Sequence, residues 1–439
     1  MMQRLRMTRR SMLFSLAGLL VAALLSVWGC GSGGSGSYSD PTASITTTKT
    51  ANALIDAATL KQWIDEGKVN NSDPASLDKV VIVTVSPAAN YTALHIPGAQ
   101  LLNSSTELAI NRTEAVGTNT SEIPTGPMVD GWLQRFGITQ NTTVVFTVSK
   151  GQSLMNATRA YYTFRYWGFP KARLKILNGG DDAWNDAATA GSWSAAYALT
   201  TTVPTVTAST FSVRNFYNGS TANFNVRYSI GQMLTLVDSI NAGATKIDST
   251  GVAIIDARGG SIPTKIQNAI VDDYNKYWTL ATGKTGVMNS VATQTAYLNA
   301  EGVSAAKSMN YVYCLSGHRA SVPFFVLDGM LNWPVTLYDG SMMQWGSYVS
   351  TATANKVAAA WQTDAVSPGT TINRTFNIAG TAIVPLTYIT LDPVANATYT
   401  AISDPRANQE LNEDKAYFTG SGATTTIPTT GGGGSASGC

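Results

Sequence analysis

Short apolar, β-branched runs alternate along this chain with stretches whose apolar positions recur at helical spacing. Val80 to Val85, Thr143 to Val148 and Arg173 to Leu177 read as buried strands. Leu54 to Gly67 and Asn156 to Trp167 read as helices, the second with aromatic faces. The alternation then returns. Ile230 to Ile240 reads as a helix, Val252 to Asp256 and Tyr311 to Tyr313 as strands, Val322 to Leu331 as a helix and Val335 to Tyr338 as a strand. Strands alternating with helices predict α/β architecture, each unit a parallel sheet flanked by helices. Asn178-Gly179-Gly180 to Trp184 and Asp339-Gly340-Ser341 to Trp345 have the same spacing, so the second unit reads as a repeat of the first. The expected organisation is a first α/β domain over 51–199, a Thr/Ser/Asn-rich linker over 200–220 and a second domain over 221–350. An extension over 351–423 and a Gly-rich, disordered arm over 424–439 follow.

The amino terminus has its own pattern. Basic residues up to Arg10 precede an apolar run, Met12 to Val27, and then Val27-Trp28-Gly29-Cys30. This reads as a signal peptide over 1–29, with Cys30 as the lipidated residue and 30–50 as a flexible tether. Thr8-Arg9-Arg10-Ser11-Met12-Leu13 is similar to a twin-arginine signal. The expected location is the bacterial cell envelope, lipid-anchored at the outer membrane on its periplasmic or surface face. No later stretch is apolar enough to span a bilayer. Charge supports export rather than nucleic-acid binding. The 29 basic and 27 acidic residues give +2, but setting aside Arg4, Arg6, Arg9 and Arg10 leaves 25 basic against 27 acidic, with no basic patch.

The chemistry concentrates in Cys314-Leu315-Ser316-Gly317-His318-Arg319, between a strand and a helix. A loop there directs free backbone N–H groups and the positive end of a helix dipole inward. A thiol so held is expected to be largely thiolate near neutral pH. Arg319 and Arg258 are candidates for binding an anion, with a structural ion pair as the other reading of Arg258. His318 reads as a solvent-facing loop residue, with general-acid chemistry as its alternative, and His95 as a brace for its turn. Two histidines and no CxxC give no metal site and no haem site, and no cofactor is expected.

These motifs together resemble the tandem rhodanese-like sulfurtransferases, over roughly residues 51 to 350. His95-Ile96-Pro97-Gly98-Ala99 is similar to that family's HIPGA turn and Asp256-Ala257-Arg258 to its Asp-x-Arg strand end. The Cys314 loop is similar to its six-residue active-site loop. The resemblance implies a Cys314 persulfide, with Leu315, Ser316, Gly317, His318, Arg319 and Arg258 around a small anionic sulfur donor such as thiosulfate or 3-mercaptopyruvate. The acceptor would be a thiol or cyanide. It also implies an inactive first domain, because Thr84-Val85-Ser86 replaces Asp-x-Arg and Thr147 stands where a cysteine is expected. In the second copy Lys265-Ile266-Gln267-Asn268-Ala269 replaces the HIPGA turn. Phosphatase-like loops have Cys-x5-Arg, and Cys314-x4-Arg319 is one residue shorter, which suits a sulfur atom better than a tetrahedral oxyanion. The alternative function is a non-enzymatic surface lipoprotein that uses the fold for binding or assembly with an envelope electron-transfer complex.

The tail lies outside the resemblance. Thr353 to Trp361 reads as a short helix and Ile372 to Ile389 as strands. Asp392, Asp404, Glu410, Glu413 and Asp414 read as solvated loop charges rather than a cation site. Cys439, on its flexible arm, is a candidate resolving thiol for Cys314.

Overall fold

The computed structural model describes residues 53–73, 76–114, 117–241, 243–259, 262, 264–349 and 405–421, with the backbone of three short strands between 362 and 385. All of these belong to one compact unit. The signal segment, Cys30, the tether, the 353–361 stretch, Asp392, Asp404, the Gly-rich arm and Cys439 lie outside the described residues.

In chain order, β1 (Leu54–Ile55), β2 (Val80–Ser86) and β3 (Gln100–Asn103) precede a hairpin of β4 (Ile110–Glu114) and β5 (Gly117–Glu122). β6 (Thr143–Thr147) and β7 (Leu174–Leu177) follow. The first sheet has the order β1-β7-β6-β2-β3, every pair parallel. The second half continues with β8 (Arg227–Tyr228), β9 (Val252–Asp256), β10 (Thr264–Ile266) and β11 (Ile270–Val271). A small hairpin, β12 (Trp278–Thr279) and β13 (Val287–Met288), then precedes β14 (Met309–Tyr313) and β15 (Val335–Tyr338). Its sheet has the order β8-β15-β14-β9-β11, again all parallel. Counted along the chain, the strands of both sheets lie in the order first, fifth, fourth, second, third. The α/β expectation holds.

The unbroken apolar run of β2 follows from burial on both faces. Val81, Val83 and Val85 pack on the side of Tyr161 and Phe164. Val80 and Ile82 pack on the other side, with Leu60, Trp63 and Trp184. The first of these clusters is shared with the second sheet through Ile255, Val312, Phe324 and Phe325. At its centre the helix Met155–Tyr166 meets the helix Ser321–Phe325. Thr158 Oγ1 and Ser321 Oγ are 2.8 Å apart. Tyr161 meets Phe325 edge-on at 5.0 Å and Tyr162 meets Phe324 at 4.9 Å. The reciprocal pairing relates the two helices by an approximate two-fold axis near Thr158 and Ser321. The second helix spans the apolar run that predicts it, but is not α-helical throughout. After Phe325 it widens into a π-helical turn, Val326–Leu331, and stops at Asn332 in the left-handed region.

Two local expectations change. Lys265 to Ala269 forms the same turn as His95 to Ala99 despite its sequence. Ala269 N–H donates to the Ile266 carbonyl at 3.1 Å, as Ala99 N–H does to Ile96 at 3.0 Å. Asn268 takes the left-handed conformation of Gly98, which asparagine tolerates. Glu410 and Asp414 are not solvated. The helix Gln409–Thr419 carries both into the interior. Arg227 Nη2 donates to Glu410 at 2.5 Å and to Glu122 at 2.6 Å, and Arg112 Nη1 donates to Asp414 at 2.9 Å. Glu413 stays outside and pairs with Gln409. Burial pushes the carboxyl of Glu114, which faces the same arginine, up to about 8, and raises Glu122 well above its ordinary value. Between Ile372 and Ile389 the backbone forms an antiparallel pair, Thr375–Ile378 with Ala382–Pro385.

Candidate active site

Cys314 follows the carboxyl end of β14, in the middle of the second sheet, and is fully buried. Gly317 N–H donates to its Sγ at 3.1 Å. The backbone amides of Ala320, Ser316 and Arg319 also converge on the sulfur. The loop rests on the amino end of the helix Ser341–Val349. Cys314 N–H donates to Ser341 Oγ at 3.2 Å, and that hydroxyl donates to the Tyr338 carbonyl at 2.9 Å. Met342 N–H donates to the Cys314 carbonyl at 3.2 Å and Met343 N–H to that of Leu315 at 3.0 Å. Gly317 is required twice over. Its φ of +91° is left-handed, and a Cβ there would lie 2.4 Å from Asp339 Oδ1.

The thiol differs from expectation. The amides pull its pKa down, but complete burial outweighs them and raises it above the ordinary cysteine value. Cys314 is therefore mainly thiol near neutral pH, because the cover over the loop removes the water that would solvate a thiolate. The sign follows directly: the thiolate fraction grows only as pH passes above the free-thiol value of about 8.5. Alkylation of Cys314 in the native protein, measured from pH 6 to 10, should keep rising past the midpoint shown by a free thiol. A rate already level at pH 6 to 7 would contradict this.

His318 is buried, not solvent-facing, and burial lowers its pKa to about 3, so the ring is neutral. Its Nε2 is enclosed without a hydrogen-bond partner among the described residues. Arg319 is partly exposed, with its guanidinium 5.4 Å from the Tyr274 ring centroid and its buried Nε unpartnered among the described residues. Arg258 is held by its own strand end. Its Nη2 donates to Asp256 at 2.6 Å and to the Thr264 carbonyl at 2.5 Å. Tyr313 OH donates to the same carboxylate at 2.9 Å. Arg258 thus forms the structural ion pair, yet lies close enough to Cys314 for the two to interact electrostatically. Leu315 is half-buried and Ser316 buried.

The residues that hold this loop from the first half were not anticipated. Arg159 Nη1 donates to Asp339 Oδ1 at 2.5 Å and to the Gly317 carbonyl at 3.5 Å, and its Nη2 donates to the Ser121 carbonyl at 2.7 Å. Arg159 and Asp339 are both fully buried. Asn119 Nδ2 donates to the carbonyls of Asp339 at 2.8 Å and Ser316 at 3.2 Å. Ile123 N–H donates to Asp339 Oδ2 at 2.8 Å. The β4–β5 hairpin thus covers and clamps the Cys314 loop. The available signal was a pair of arginines, Arg159 and Arg165, on an aromatic-rich helix, which a core accepts only when each is paired.

In the first sheet the position matching Cys314 is Val148, one residue beyond Thr147. Thr84 pairs with Thr147 as Asp256 pairs with Tyr313. Asp181 N–H donates to the Val148 carbonyl as Met342 N–H does to that of Cys314. Here the occupant is a carboxyl rather than a sulfur. Asp181 is fully buried, accepts from Thr147 Oγ1 at 2.7 Å, and its Oδ2 is unpartnered among the described residues. Burial pushes its pKa up to about 8. A carboxyl raised in the folded state stabilises fully below its unfolded value and loses that contribution as pH rises through about 8. Asp181→Asn should therefore gain thermal stability relative to wild type as pH increases from 5 to 9. Parallel melting curves across that range would contradict it.

Comparison with known proteins gives a consistent picture. Residues 56–187 match the family described as Rhodanese-like domain, a segment that contains nearly all of the first sheet and none of the second. The chain is 26% identical over 301 residues to "Putative thiosulfate sulfurtransferase" of Haloferax volcanii, across 67% of this chain and 94% of that protein. It is 27% identical over 261 residues to "Putative thiosulfate sulfurtransferase SseA" of Mycobacterium leprae, across 59% and 79%. The fold is similar to the solved structure of an EanB variant in complex with ergothioneine. There the TM-score is 0.50 at 18% identity, covering 67% of this chain and 68% of that one.

Proposed function

We propose that this chain, with its rhodanese-like domain and its similarity to proteins named as thiosulfate sulfurtransferases, is a tandem rhodanese-type sulfurtransferase. The second unit would be the catalytic one. The observation that carries this reading is the ring of amides from Ser316, Gly317, Arg319 and Ala320 around one sulfur at a strand end. The common strand order of the two sheets supports the tandem arrangement.

In this reading Cys314 first gives up its proton to solvent, and the thiolate fraction so formed attacks the outer sulfur of thiosulfate. The new S–S bond forms as the bond to the sulfonate sulfur breaks, and sulfite leaves with that bond's electron pair. The product is a Cys314 persulfide anion, whose charge the loop amides stabilise as an oxyanion hole stabilises oxygen. Cyanide or a thiolate then attacks the terminal sulfur and regenerates the Cys314 thiolate. Arg319, with its unpartnered Nε, is the first candidate for drawing in the donor dianion, and Arg258 adds positive potential from its pair with Asp256. His318, neutral and buried, would contribute a hydrogen bond rather than a charge. The test is a single-turnover assay without acceptor. Wild type should release one sulfite per chain, and Cys314→Ala none. A burst of equal size in both would overturn the proposal. The complete burial of Cys314 favours a binding module as the second reading, which equal, negligible rates in both proteins would support.

The proposal includes export. Cys30 would carry the lipid anchor and place the enzyme in the cell envelope. Among the described residues no helix is long and apolar enough to cross a membrane. Cys30→Ala should move the protein to the soluble fraction or leave its leader uncleaved. Fractionation and migration identical to wild type would refute the anchor.

A further inference from the structure

The helix Gln409–Thr419 packs against both halves of the fold. Its buried face carries Leu411 and Phe418, and Phe418 meets Phe224 edge-on at 5.3 Å. Tyr417 OH donates to Asp130 of the first half at 2.5 Å. Just before the helix, Asn408 accepts from Ser229 Oγ of the second half at 2.5 Å. The helix also grips the hairpin that covers Cys314. Asp414 accepts from Arg112 Nη1 at 2.9 Å and Nη2 at 3.0 Å, and Tyr166 OH donates to it at 2.7 Å. Glu410 lies 3.1 Å from Arg112 Nε and shares Arg227 Nη2 with Glu122.

The register of the hairpin sets these anchors against the active loop. Arg112 on β4 stands directly opposite Asn119 on β5. Arg112 is held by the helix, whereas Asn119 Nδ2 donates to the carbonyls of Asp339 and Ser316. Glu122 repeats the pattern. Its Oε2 is held by Arg227 together with Glu410, its Oε1 accepts from Gln344 Nε2 at 2.8 Å, and the next residue, Ile123, bonds Asp339. Arg112, Arg227, Glu122, Glu410 and Asp414 are all buried. Lifting the hairpin alone would leave Asp414 buried without its arginine, which is strongly unfavourable. The hairpin and the helix therefore open together.

Cys314 is fully buried, so a sulfur donor reaches its thiol only when the cover moves. We propose that the helix Gln409–Thr419 is an autoinhibitory strap. Seated, it holds the β4–β5 hairpin down on the Cys314 loop. Released, it lets the hairpin lift and admits small molecules to the thiol. The seated hairpin also shapes the loop, so the strap sets access rather than chemistry. As a control on sulfur transfer, the strap rests on the reading of Cys314 as the nucleophile.

The test follows alkylation of Cys314 by peptide mass in the full-length protein, with sulfite release measured alongside. Gly231→Cys with Ala407→Cys provides a lock, because a Cβ at Gly231 would lie 3.1 Å from that of Ala407, slightly closer than a disulfide needs. With that disulfide formed, Cys314 should react at least about tenfold more slowly than in the same protein reduced and freed of reductant. Sulfite release should fall with it. Leu411→Ala, which loosens the helix and removes none of the hairpin's hydrogen bonds, should speed alkylation at least about fivefold. Hydrogen exchange separates this from global unfolding. The helix, β4 and β5 should lose protection together while β2 and β6 keep theirs. Equal alkylation in the locked and reduced protein, or in Leu411→Ala and wild type, would overturn the strap. So would loss of protection in the helix without the hairpin. If the disulfide does not form, Leu411→Ala decides alone. Alkylation needs no sulfur donor, so a protein that releases no sulfite in any state would overturn the sulfur-transfer reading and leave the strap standing.

Discussion

Cys314→Ala is expected to lower sulfite release from thiosulfate by at least about 10⁴-fold, the scale seen when a covalent nucleophile is removed. No other cysteine among the described residues can substitute for it. The fold should survive, because the side chain is small and its one close hydrogen bond comes from Gly317 N–H. The loop is also held by contacts that do not involve the sulfur: Cys314 N–H to Ser341 Oγ, and the carbonyls of Cys314 and Leu315 to the helix beyond. A variant that melts near wild type yet retains more than a hundredth of the rate would mean that the sulfur is carried elsewhere.

Arg159→Met should cost about 3–5 kcal/mol of folding stability, because it leaves the Asp339 carboxylate buried and uncompensated. Asp339 would retain only Ile123 N–H on Oδ2. The Arg159 guanidinium also ties the Ser121 carbonyl of the hairpin to the Gly317 carbonyl of the active loop, so the rate of sulfur transfer should fall together with stability. Removing the charge from both partners, in Arg159→Met with Asp339→Asn, should recover much of the stability but not the rate. Denaturant unfolding and sulfite release measured on the same preparations separate the two effects. A single-variant cost below about 1 kcal/mol, the scale of a surface pair, would show that the pair does not clamp the site.

The central strands were legible because continuous burial on both faces leaves a continuous β-branched run, as in Val80–Ser86. The Cys314 loop was legible from residue type alone, since a glycine, an arginine and a thiol between strand and helix suit one chemistry. The clamp was not, because Arg159 and Asp339 are 180 residues apart and no local pattern joins them. The β4–β5 hairpin is short and rich in Asn, Thr and Glu, so its pattern gives no sign that it covers the site. That cover explains two reversals at once: His318 is buried rather than exposed, and the Cys314 thiol is raised rather than lowered. The shift from Thr147 to Val148 is one of register, which a run of apolar residues does not fix and a pairing partner does. Glu410 and Asp414 looked like tail charges because their partners, Arg112 and Arg227, lie far away in the chain.

The central claim is that Cys314 carries the sulfur, and intact mass after addition of thiosulfate tests it most directly. Wild type should gain one sulfur atom that peptide mapping assigns to Cys314. Cyanide should remove that atom as thiocyanate, and Cys314→Ala should gain none. Sulfite release without added mass on Cys314, or a sulfur gained equally by Cys314→Ala, would contradict the account.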